Sequence, residues 1–166
     1  MPERSGAVIL VAVTTSVVVV DQLTKFLLSA TFDSQRVASR VEIIDGWLAL
    51  EYTENRGAAF GLFSGLAPIL AGVSIAILAA LFLHFFRQAR PPLWQTTATG
   101  AIAGGALGNL IDRVRLGHVV DFLSVGPWPN FNVADSAITV GVLVLVWGMT
   151  RQPSCPGVAL PIDPGT

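Results

Sequence analysis

The stretch Ser136–Thr150, SAITVGVLVLVWGMT, contains no charged residue, and its lead-in Asn130-Phe131-Asn132-Val133-Ala134-Asp135 ends on an acid. A membrane-crossing helix takes about 20 largely apolar residues. Three more stretches, 5–20, 57–86 and 91–111, lack Asp, Glu, Lys and Arg. Together they predict four helices over about 6–28, 66–87, 94–113 and 133–151. The expected fold class is therefore an all-α membrane protein with four transmembrane helices. They form a single domain over residues 1–152, followed by a Pro/Gly-rich flexible tail, 153–166.

Composition agrees. Of 166 residues, 52% are hydrophobic and 13% charged, whereas a soluble domain carries about a quarter charged residues. The net charge of −1 points to no nucleic-acid partner. The single cysteine, Cys155 in the tail, excludes an internal disulfide and a cysteine-based metal cluster. No metal-ligand spacing accompanies His118, and His84 lies at the opposite end of the second helix, so neither metal nor cofactor is expected. Arg87 and Arg90 lie in the short second connection, and Arg4 and Arg151 flank the outermost helices. Short basic segments face the cytoplasm, so both termini are expected inside. Arg4 before an apolar core also fits a cleaved signal peptide, although the apolar pattern runs on through Phe26, Leu27 and Leu28.

Between the first two helices, Val41–Thr53 is rich in β-branched and aromatic residues, with Gly46 near its middle. It reads as a short pair of strands outside the membrane, with Trp47 and Tyr52 suited to the interface; a packed loop fits equally well. Pro127-Trp128-Pro129-Asn130 reads as a turn. In the third helix Gly100, Gly104 and Gly108 recur at spacing four. Close helix packing is the expected role of Gly100 and Gly104, and the same small-residue face is a candidate wall for a groove between helices.

The unusual polar residues gather at the outer helix ends. Asp21 and Lys25 share a helix face, as a local ion pair or as part of a site. Asn55 and Gly57 precede the second helix, where a turn also explains them. Asn109 lies one turn from Asp112 and Arg113; pairing with Arg113 would make Asp112 structural and leave Asp121 the freer carboxylate. Asp121 sits within Val119-Val120-Asp121-Phe122-Leu123, and Asp135 heads the last helix. Ionisable groups at the edge of hydrocarbon are expensive and mark functional sites. Two carboxylates sharing one site split into a base and an acid, which suits activation of water. Capping of a helix by an acid explains Asp135 about as well.

Taken in order, DQLTK (21–25), NRGAAFG (55–61), GGALGNLIDR (104–113), VVDFL (119–123) and FNVADSAI (131–138) resemble lipoprotein signal peptidase, the type II signal peptidase family. The resemblance implies an aspartyl endopeptidase of the bacterial inner membrane, with four spans and a small extracytoplasmic β-cradle. Its substrates would be diacylglyceryl-modified prolipoproteins, cut on the amino side of the lipidated cysteine, and its inhibitor globomycin. It implies Asp121 and Asp135 as the catalytic dyad, with Asp21, Lys25, Asn55, Gly105, Asn109, Arg113, Asn132 and Ala134 shaping or supporting the site. A lipidated substrate would enter from the membrane, and a monomer is large enough to act. A proton-relay transporter or a glycine-packed scaffold are the rival classes. No inverted repeat supports the first, and the second leaves the clustered Asp, Asn and Arg unexplained.

Overall fold

The computed structural model describes residues 4–33, 40–57 and 67–151. The second half of the NRGAAFG motif (58–61) and the tail from 153 onward lie outside them. The element order is α1 (Arg4–Asp33), β1 (Arg40–Ile44), β2 (Leu48–Asn55), α2 (Ala67–Arg87), α3 (Leu93–Leu116), β3 (Val119–Val125) and α4 (Val133–Thr150). All four expected helices are present, most of their ends within a few residues of the sequence reading. Three of them, α1, α2 and α4, are long and apolar enough to cross a membrane.

These three helices turn their large apolar side chains outward. Val11, Phe26, Ile69, Leu83, Leu143 and Met149 are all more than half exposed, the reverse of a soluble bundle and what a lipid solvent requires. The third helix differs. It is the least apolar of the four and the central one, packing against α1, α2 and α4. Its buried positions are mostly small: Ala98, Gly100, Ala103, Gly104, Gly105, Ala106 and Gly108.

Those glycines set the helix spacing. A Cβ on Gly104 would fall 2.7 Å from the Val17 Cβ and 2.8 Å from the Thr14 carbonyl. One on Gly105 would collide with the Ala134 carbonyl, and one on Gly108 would lie 2.7 Å from Asp21 Oδ2. Gly100 faces Val13 and Leu10 in the same way, so the packing role expected for Gly100 and Gly104 holds. The groove does not: Val13, Val17 and Ala134 fill the small-residue face. These pairings also fix directions. Residues 10, 17 and 21 of α1 meet 100, 104 and 108 of α3, so the two run parallel. Ala134 meets Gly105 while Gly148 meets Trp94, so α4 runs antiparallel to α3.

The sheet has three antiparallel strands in the order β1-β2-β3. The expected hairpin over Val41–Thr53 is there, turning at Gly46 with φ 67°. The third strand lies in the connection where only an apolar pentad around Asp121 was apparent. Gly117, at φ 78°, ends α3 with its N–H on the Arg113 carbonyl, a left-handed cap that glycine adopts without strain. The chain therefore turns sharply and enters β3 two residues later. Pairing of Thr53 with Asp121 and of Asn55 with Val119 then lays Asp121 over the ends of α1, α3 and α4.

Candidate active site

Asp135 stands in the first turn of α4. Asn132 is the N-cap; its Oδ1 accepts from the Asp135 N–H at 2.9 Å, and the Asp135 carboxylate accepts from the Asn132 N–H at 3.3 Å. This is a reciprocal capping box, which satisfies two otherwise orphan donors. The second Asp135 oxygen, Oδ1, accepts from Asn109 Nδ2 at 2.8 Å. Capping therefore occupies one Asp135 oxygen and leaves the other facing the Asn109 amide.

Asp121 reaches the same place from β3. Its Oδ1 accepts from Asn132 Nδ2 at 2.7 Å and its Oδ2 from Asn55 Nδ2 at 3.0 Å. Asn132, fully buried, therefore touches both acids. Each carboxylate oxygen has two acceptor positions, so four hydrogen bonds leave capacity for water on both groups. Burial is the main cause that pushes the Asp121 carboxyl up to about 6, aided by the nearby Asp135 charge and opposed by the Asn55 and Asn132 amides.

Beneath the acids lies a buried ionic layer. Lys25 Nζ is 2.8 Å from Asp21 Oδ2, 2.8 Å from Asp112 Oδ2 and 3.0 Å from Asn109 Oδ1. Lys25 is 4% exposed and Asp21 0%, so this is no surface ion pair. Asp21 Oδ1 also accepts the Ala134 N–H at 2.9 Å, capping α4 from a different helix. Ala134 is fully buried, and its carbonyl occupies the space beside Gly105.

The structure corrects one pairing. Asp112 is ion-paired, but its cation is Lys25 and not Arg113. Gln22 Nε2, at 2.8 Å, and the Val120 N–H, at 3.2 Å, complete its shell. The Arg113 guanidinium instead donates to the Asn109 carbonyl at 3.4 Å. Lys25 is 87 positions from Asp112, and no local spacing could select it over the adjacent arginine. Gln22 joins the same shell, and its only signal in the sequence is a polar side chain next to Asp21 in an apolar helix. His118 lies away from the acids, 3.5 Å from the Tyr52 hydroxyl and 3.8 Å from Glu54.

Asp121, Asp135, Asp21, Lys25, Asn55, Gly105, Asn109, Asn132 and Ala134 thus converge at one end of the bundle, with Arg113 at the rim. Two paired carboxylates held by amides on a buried ionic base can divide a proton between them and activate water.

Comparison with known proteins places the chain in a family. Residues 13–151 match the family model of signal peptidase (SPase) II. Lipoprotein signal peptidase from Syntrophomonas wolfei is 43% identical over 130 residues, covering 78% of this chain and 85% of the relative. The enzyme of the same name from Staphylococcus aureus strain MRSA252 is 36% identical over 153 residues, covering 90% of this chain and 91% of the relative. A bacterial membrane enzyme solved by the in meso method at 2.3 Å superposes with a TM-score of 0.77 at 32% identity, covering 90% of this chain and 93% of that one. By sequence and by fold, this chain belongs to the signal peptidase II family of membrane proteases.

Proposed function

We propose that the protein is a membrane-embedded aspartic endopeptidase that removes signal peptides from prolipoproteins, with Asp121 and Asp135 as its dyad. The observation that carries this reading is the Asn132 bridge. One buried side chain ties a strand carboxylate to a helix carboxylate, and amide donors hold both. One acid takes a proton from water while the other polarises the scissile carbonyl. Asp21, Lys25, Asn55, Gly105, Asn109, Arg113, Asn132 and Ala134 position the pair.

The favoured substrate is a prolipoprotein already diacylglyceryl-modified on its cysteine and cut on the amino side of that residue. Its acyl chains would stay in lipid beside the outward apolar faces of α1, α2 and α4. In the proposed topology α3 also crosses, as the third of four spans, and the chain sits in the bacterial cytoplasmic membrane. Arg4, Arg87, Arg90 and Arg151 mark the inner end, and the acids and the sheet lie outside it. A monomer suffices, no metal or cofactor takes part, and a globomycin-type peptide competes for the site.

The test is cleavage of a diacylglyceryl-modified prolipoprotein peptide by the purified full chain in detergent. Turnover is expected without added metal and unchanged by chelators. Asp121→Asn and Asp135→Asn should each abolish it while leaving the elution profile and thermal transition of a folded protein. Retained turnover in either variant rules out the dyad.

A further inference from the structure

The carboxylates look equivalent in their hydrogen-bond count, but the groups behind them are not. Lys25 is an ammonium with three N–H donors and no acceptor. All three positions are taken, by Asp21, Asp112 and Asn109 Oδ1. The Asn109 amide therefore cannot flip: its oxygen must face Lys25, and its NH2 must face Asp135 Oδ1. The other Asp135 oxygen meets the Asn132 backbone N–H, which cannot turn either. Asp135 is thus surrounded by donors of fixed orientation, and one of them is backed by the Lys25 ammonium.

Among the described residues, neither amide that donates to Asp121 is backed by an ammonium: Asn132 Oδ1 accepts the Asp135 N–H, and Asn55, which ends β2 at the partly exposed rim, accepts the Gly57 N–H at 3.2 Å. Burial also pushes the Asp121 carboxyl up to about 6.

We infer that Lys25 is a positioning residue which, acting through the Asn109 amide, assigns the resting negative charge to Asp135 and leaves the exchangeable proton on Asp121. This rests on the dyad reading above and deepens it. Water then gives a proton to Asp135 as its oxygen bonds to the scissile carbon, and Asp121 protonates the carbonyl oxygen. On collapse the C–N bond breaks and the leaving nitrogen takes the proton from Asp135. A hydroxyl of the tetrahedral carbon returns a proton to Asp121, which restores the resting state.

The charged groups around Asp135 are Asp21 and Lys25 from α1, Asp112 and Arg113 from α3, and Asp121 from β3. The test therefore changes only the relay. The acidic limb of kcat/KM against pH is measured for wild type, Lys25→Gln, Lys25→Arg and Asn109→Ala. Lys25→Gln and Asn109→Ala should each move that limb upward by about one pH unit, lowering kcat/KM about tenfold on the acidic side. Lys25→Arg, which keeps a donor-only cation, should restore the wild-type limb. Asn109→Ala leaves the Lys25 ion pairs in place, so it answers the question even if Lys25→Gln does not fold. An unmoved limb in Asn109→Ala, with activity reduced equally at every pH, overturns the relay. So does a Lys25→Gln shift that persists in the Asn109→Ala background. Turnover by Asp121→Asn or Asp135→Asn would instead overturn the dyad itself.

Discussion

Asp121 is the residue whose environment makes the most direct thermodynamic demand. Burial raises its carboxyl from 3.8 to about 6, so between those values the folded chain holds a proton that the unfolded chain has lost. The associated stability, up to about 3 kcal/mol, is complete below pH 4 and is lost as pH rises through 6. The thermal midpoint of the detergent-solubilised protein should therefore climb as pH falls from 7 toward 5. The climb should be smaller in Asp121→Asn; equal slopes would show that Asp121 is not the titrating group. Asp112→Asn gives the complementary case. It removes one of the two ion-pair partners of Lys25 while Asp21 still holds the ammonium, so it should destabilise the protein by about 1–3 kcal/mol, read as a lower thermal midpoint, and retain measurable turnover. Asp121 and Asp135 were legible as a pair because acids beside apolar runs are rare. Their partners were less so. Local spacing suggested Arg113 for Asp112, and only the fold brings Lys25 across from α1.

At the level of elements, α3 is the part that the other helices are built around, and its glycines carry the effect. Gly104→Ala places a methyl group against the Val17 Cβ and the Thr14 carbonyl. That should cost about 1–3 kcal/mol and lower the thermal midpoint. Gly105→Ala collides with the Ala134 carbonyl, one residue before Asp135. It should reduce kcat/KM by about a hundredfold if α4 moves by an ångström, with the midpoint reporting the accompanying strain. Gly72→Ala in α2, where nothing lies within 4 Å, serves as the contrast. It should be neutral or stabilising by about 0.5–1 kcal/mol. The helices and the β1–β2 hairpin were legible from charge-free runs and from β-branched residues around a glycine. Strand β3 was not. Most of its residues are buried, so it lacks the polar alternation that marks a half-exposed strand, and its partner β2 lies more than 60 positions away.

Across the whole molecule, one end is basic and the other holds the acids and the sheet. Parallel α1 and α3, with antiparallel α4, put Arg4 and Arg151 at the end opposite Asp121 and Asp135. The single cysteine can report the orientation. In spheroplasts, a membrane-impermeant maleimide should label Cys155 only after permeabilisation, whereas a Trp47→Cys variant in a Cys155→Ser background should be labelled at once. The reverse pattern would invert the topology. The capping box adds a consequence for drug resistance. Asn132 and Asp135 start α4, Asp21 secures it from α1, and Asn109 ties it to the ionic base. A compound seated on these groups contacts atoms that also hold the bundle together. Substitutions that evade it there would also remove contacts that hold α4, so each should lower the thermal midpoint along with binding.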